Sequence, residues 1–266
     1  MSRSARRLAP VLGLLAAAAV ITSACGAASA PALTDPKEIV LAAVRAGQAA
    51  KSVHIDAKLD GSITADLTGA GSGGTPIALT GTTAAADVDI AGGSAHATFT
   101  VPTLFGLTGE LIQIGGMSYL KTSLTPGGKF TVENVANSLP VNPTNPTSLL
   151  DSVGELLSKP GVDPVKGEDV ACGSTQCYTV KIDLTPAELN ALDAGGPVPS
   201  GLPIDLGTAN LSLTIRVEKN TSRLAGVAAT VAMGKQGSLT IDLSLSRWDE
   251  PVAISAPPAD QLQTAP

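Results

Sequence analysis

Ser52-Val53-His54-Ile55-Asp56-Ala57-Lys58-Leu59-Asp60 alternates apolar and polar residues without a break. Val53, Ile55, Ala57 and Leu59 point one way, and His54, Asp56, Lys58 and Asp60 the other; the phase continues through Ile63 and Leu67. A period of two over this length predicts a long antiparallel strand, dry on one face and wet on the other. The same period returns at Ala86-Val88-Ile90, Val180-Ile182-Leu184, Leu211-Leu213-Ile215-Val217, Val227-Ala229-Val231 and Leu239-Ile241-Leu243-Leu245. Turn residues separate these runs at Gly92-Gly93, Gly115-Gly116, Gly127-Gly128 and Asn220-Thr-Ser. Long strands joined by short turns imply one meandering antiparallel sheet.

Helices interrupt the meander. Asp35 caps a helix that Pro36 opens, with an apolar stripe at Ile39, Val40, Ala43 and Val44. Asn145-Pro146 opens a second, whose apolar face is Leu149, Leu150, Val153, Leu156 and Leu157 and whose stop is Pro160-Gly161. Thr185-Pro-Ala-Glu188 has capping-box spacing and starts a short third helix. The Pro- and Gly-rich stretches at 195–203 and 251–266 read as loop and tail.

Residues 1–24 read as an export signal. Arg3, Arg6 and Arg7 precede an apolar run from Val11 to Ile21, too short to span a bilayer, and then small residues lead to Cys25. Thr22-Ser23-Ala24-Cys25 resembles a bacterial lipobox, in which Cys25 is diacylated with palmitate-type chains and becomes the new N-terminus. Thr22 stands where Leu, Val or Ile is usual. The alternative is an ordinary secretory signal cut near Ala24 or Ala28. Residues 25–35 then form a tether, and 36–266 a single domain of a size suited to a β-rich fold.

The chain of 266 residues has 17 Lys+Arg against 23 Asp+Glu, and aromatics are only 2% of it. With no basic tract and little to stack on bases, a nucleic-acid partner is excluded. Two histidines, His54 and His96, leave little for a zinc site or a nucleophile–base relay. No catalytic residue, metal site or cofactor is expected. Gly69-Ala-Gly-Ser-Gly-Gly74 matches a dinucleotide loop by letter, yet Thr75-Pro76 and a strand follow where a helix is required, so it reads as a hairpin loop. Asp56, Asp60, Asp66, Asp87 and Asp89 alternate with apolar residues and read as the wet face of a sheet. Cys172-Gly-Ser-Thr-Gln-Cys177 reads as a disulfide across a four-residue turn, since an exported compartment permits one and the spacing is not C-x-x-C.

The lipobox, the capped helix, the long alternating strand, the Gly115-Gly-Met-Ser-Tyr-Leu120 hairpin, the Pro-bearing helix near 146 and the closing Arg247-Trp-Asp-Glu-Pro-Val-Ala-Ile-Ser-Ala-Pro-Pro-Ala-Asp260 together carry a resemblance. The layout resembles the actinobacterial LppX/LprA/LprF/LprG family of envelope lipoproteins. The resemblance implies an α+β half-barrel, LolA/LppX-like: a strongly curved antiparallel sheet with helices packed on its concave side and an apolar cavity between. It implies a monomeric, non-enzymatic carrier of acylated lipids or glycolipids. Such a carrier is membrane-anchored through Cys25, faces the periplasm or cell envelope, and has a membrane lipid transporter as a further partner.

On that reading Ile55, Leu59, Ile63, Val88, Ile90, Phe99, Val101, Leu213, Ile215, Val231, Ile241 and Leu243 line the cavity. Leu149, Leu150, Val153, Leu156 and Leu157 cover it, with open space under the modest Val153. Leu104, Phe105, Leu107 and Tyr119 form the rim. The rival is an envelope interaction protein with a filled core, docking on a transporter, since an Ala-rich core is able to close-pack.

Overall fold

The computed structural model describes residues 32–65, 74–134, 154, 157–159, 161–193 and 208–263. The signal segment, Cys25, Asp66, Leu67, most of the loop at 69–74, and Leu149, Leu150, Val153 and Leu156 lie outside them.

Helix α1, Pro36–Gln48, begins as its sequence dictates: Asp35 accepts a hydrogen bond from the Lys37 amide at 2.9 Å, and Pro36 occupies the first turn. Strand β1, Ser52–Ala65, follows. Then come β2 (Thr75–Ala78), β3 (Thr82–Asp89), β4 (Ser94–Val101), β5 (Leu107–Ile114), β6 (Met117–Thr122) and β7 (Thr131–Asn134). The second half holds β8 (Val165–Lys166), β9 (Val170–Cys172), β10 (Thr175–Leu184), α2 (Pro186–Asp193), β11 (Asn210–Glu218), β12 (Leu224–Ala232) and β13 (Gly237–Ser246). The capping box of α2 is closed from both sides. The Thr185 amide and hydroxyl each donate to Glu188 Oε2 at 2.7 Å, and the Glu188 amide donates back to Thr185 Oγ1 at 3.4 Å.

All the strands belong to one open antiparallel sheet in the order β7-β6-β5-β4-β3-β1-β13-β12-β11-β10-β8, with β2 on β1 and β9 on β10. Two meanders therefore run outward from a central seam, the pairing of β1 with β13 from His54–Ser246 to Ile63–Gly237. At that seam the backbones approach closely. A β-carbon on Gly61 would meet the Ser238 carbonyl at 2.2 Å, and one on Gly237 the Ser62 carbonyl at 2.2 Å. Both residues have positive φ, so glycine alone fits there and lets the long strand bend.

Because paired residues share a face, one side of the sheet is followed strand by strand. Ile215, Val227, Leu243, Ala57, Ala84, Phe99 and Gly109 are joined in register across seven strands. Helix α1 packs on this face at β10 to β12. Ile39, Val40 and Ala43 are buried against Tyr178, Val180, Ile182, Ile215 and Val217, with Leu157 in the same cluster. A second cluster, Val53, Val88 and Ala95, closes the same face at the start of β1. Leu245 and Trp248 touch both clusters, and the Trp248 indole donates to the Leu224 carbonyl at 3.2 Å.

Two local expectations need correction. The Cys172–Cys177 disulfide forms, but the turn is two residues, Gly173-Ser174, not four. Cys172 stands opposite Thr175 and Cys177 opposite Val170, so the bridge runs diagonally across the hairpin. The segment after 250 is no free tail. The Ser52 hydroxyl donates to the Glu250 carbonyl at 2.6 Å, and Leu262 forms a parallel bridge to Phe130. Between those points the chain passes His54 and His96, making a strap over the face opposite α1. Phe130 is buried at its far end, with the Lys121 ammonium 4.4 Å from its ring centroid.

Candidate functional site

The face that carries α1 is unevenly filled. At the end where β1 begins, Val53, Val88, Ala95, Val217 and Leu224 are buried. Toward the other end of the same strands, Leu59, Ile63, Leu213, Val231, Ile241 and Leu243 are only half-buried. The register sets several of these in a row: Leu213 opposite Ala229, Ala229 opposite Ile241, and Ile241 opposite Leu59. The middle of the face is floored with small residues. Ala57 pairs with Ala84, and Ala86 with Ala97. All four stay half-buried, although they sit at the centre of a sheet. An alanine floor takes up little volume, and packing that closed over it would have buried it.

Beside this floor the ring of Phe99 spreads over Gly109, its partner on β5. Val101 and Leu107 end the β4–β5 ladder on the same face and are half-buried. Among the described residues the site so built is an aliphatic trough, sealed at one end and left open toward the other. Its surface offers area to apolar matter and almost no hydrogen bonds.

The structure brings together most of the residues picked from the sequence. Ile55, Leu59, Ile63, Ile90, Phe99, Val101, Leu107, Leu213, Val231, Ile241 and Leu243 share the trough face or border it. Val88, Ile215 and Leu157 differ: they are sealed inside packed clusters, because α1 and Trp248 press on that end of the face. Tyr119 belongs to the other side of the sheet. It pairs with Ile112 and Val132, while Ser118 and Leu120 carry the trough phase on β6. Leu104 and Phe105 stand in the β4–β5 turn beyond the ladder, with Phe105 fully exposed at positive φ.

Sequence reading passed over the alanines of the trough floor and, among the polar residues of that face, Gln113. Gln113 on β5 is in phase with Leu107 and Leu111 and opposite Ala95, and it is 1% exposed. The signal was a polar residue in the apolar phase of Leu107-Thr-Gly-Glu-Leu-Ile-Gln-Ile114.

The histidines lie on the opposite face under the strap. His54 Nδ1 is 2.7 Å from Asp87 Oδ1, Arg247 contacts both, and Asp56 stands 3.4 Å from His54 Nε2. A polar recess of about 170 Å³ lies beside them. His96 pairs with Glu110 at 3.0 Å, and Lys121 reaches the same carboxylate at 2.6 Å. The Lys121 hydrogen bond, with a smaller one from His96, holds the Glu110 carboxyl below its ordinary pKa against the opposing effect of burial. These groups pair with one another, and no hydroxyl or thiol nucleophile is hydrogen-bonded to either histidine among the described residues. No group of three or more His, Cys, Asp or Glu placed to hold a metal occurs among the described residues. Nor is any helix there long and apolar enough to cross a membrane.

The fold has a solved counterpart in LprF from Mycobacterium bovis. The chain matches that crystal structure at a TM-score of 0.51 over 84% of its own length and 96% of the other, with 16% identity. It shares the fold of LprF. The LprF-like half-barrel is thus the architecture that the sequence resemblance implied. The lipoprotein LppX from Mycobacterium tuberculosis aligns at 16% identity over 83% of this chain and 98% of that one, with a TM-score of 0.46. A LolA superfamily protein from Nitrosomonas europaea aligns at 8% identity over 88% and 96%, with a TM-score of 0.28. No protein-family model matches the sequence, and no curated protein matches it.

Proposed function

We propose that this chain is an exported, acyl-anchored lipoprotein that holds an acylated lipid or glycolipid in its trough and carries it between membranes without catalysing a reaction. One observation carries the reading: Ala57, Ala84, Ala86 and Ala97 floor the centre of the concave face and are left half-buried. A filled-core scaffold would bury them. The energetics favour hydrocarbon as the missing filler. Each methylene removed from water is worth about 0.8 kcal/mol, so a sixteen-carbon chain crossing water bare forfeits roughly 13 kcal/mol. A lipid in transit therefore needs an apolar container, and such a container needs no nucleophile or metal. The anchor is argued from Thr22-Ser23-Ala24-Cys25 at the end of the export signal.

The test is mass spectrometry of organic extracts from the full chain exported as a Cys25→Ala variant. Stoichiometric acyl lipid in the extract is the expected result. An extract free of lipid, from protein that has also been offered acyl lipid in vesicles, would overturn the proposal.

A further inference from the structure

Gln113 stands out on the trough face as a buried amide. It is 1% exposed, and among the described residues neither its amide oxygen nor its amide nitrogen has a hydrogen-bond partner. Its partners across the ladder are Ala95 on β4 and Ser118 on β6, both small and both buried. A primary amide offers two donors and an acceptor with two lone pairs. Burying it unsatisfied costs more than any apolar residue at the same place, and Leu or Met would suit the phase of β5 better. The amide faces the same side of the sheet as the alanine floor, one register row from the Ala86–Ala97–Leu111 row. Among the described residues nothing supplies that partner, which points to a group that enters the enclosed part of that face.

We infer that Gln113 is the polar anchor of the trough, hydrogen-bonding an oxygenated group of the bound acyl lipid, an ester carbonyl with an adjacent hydroxyl. The inference rests on the lipid-container reading above and adds the chemistry that it recognises. The amide N–H donates to the ester carbonyl, and the amide oxygen accepts from the hydroxyl. Both bonds form out of water, where they discriminate most sharply against a ligand that lacks them. Apolar contact along Leu59, Ile241 and Leu213 would accept any hydrocarbon; Gln113 selects among hydrocarbons for one that carries oxygen.

The experiment uses the full chain as the Cys25→Ala variant and two probes of similar apolar bulk, 1,2-dioleoylglycerol and the hydrocarbon squalane. Uptake of each is measured with and without Gln113→Met, which keeps the side chain's length and removes both bonding groups. The expected result is that the variant loses roughly tenfold in affinity for dioleoylglycerol and keeps its affinity for squalane. Its ligand-free melting temperature should rise by about 5 °C, since an unmet amide has been removed. Equal retention of both probes would overturn the inference and mark the amide as satisfied by trapped water. An equal loss of both probes, or a fall in melting temperature, would overturn it as well, by making Gln113 a packing residue. Failure of the wild-type chain to take up either probe would instead sink the container reading, and this inference with it.

Discussion

Phe99 lies over Gly109 so closely that a β-carbon at residue 109 would sit 2.1 Å from the ring's Cζ. The two residues are register partners on β4 and β5, and both face the trough. The missing side chain at 109 is what lets a large ring lean over the β5 backbone. Gly109→Val is expected to force the ring out of that place and to destabilise the fold by about 1–3 kcal/mol, the usual cost of overpacking. Urea unfolding measures it. Combining the change with Phe99→Leu should recover most of the loss, because the overlap is with the ring and not with backbone.

Ala229 sits between Leu213 and Ile241 in the half-exposed row. In a filled core an indole there would have nowhere to go and would unfold the sheet. In a trough it occupies the space meant for a tail. Ala229→Trp is expected to leave the far-ultraviolet circular dichroism unchanged and to lower lipid uptake at least tenfold. Unchanged uptake would mean that hydrocarbon binds elsewhere.

The frame of the fold was legible because its signals are local. The Val53–Leu59 alternation, the Asp35-Pro36 start and the Thr185–Glu188 box each depend on neighbours in sequence, and each formed as read. What escaped reading depends on distant partners. The strap meets Phe130 across the sheet, and a Pro-rich run has no period to announce that contact. Tyr119 was read as a rim residue but faces away from the trough; β6 is only six residues long, with Met117 and Tyr119 in one phase and Leu120 in the other, so its apolar side is not marked. Whether Ala57 and Ala84 are covered is likewise a tertiary fact. An aliphatic strand face reads the same whether it floors a trough or a solid core.

Acid should loosen the outer face. Glu110 has a folded-state pKa below its ordinary value, chiefly through Lys121 and then His96. A depressed carboxylate stabilises the fold above its unfolded pKa, and the contribution is lost as pH falls through the folded pKa. The melting-temperature gap between wild type and Glu110→Gln should therefore be present at neutral pH and close below the ordinary glutamate range. The pair is partly exposed, so the gap at neutral pH should be modest. A gap that widens on acidification would show that the cluster works against folding.

The most direct test of the trough is methyl NMR of the unanchored chain with a phospholipid spin-labelled near the end of one acyl tail. Occupancy of the open half predicts strong broadening of the Leu59, Leu213 and Ile241 methyls, which share the trough face, and much weaker broadening of the Ile112 methyl, which lies on the opposite face of β5 beside His96. Broadening confined to the strap side of the sheet, or none at saturating lipid, would contradict the account.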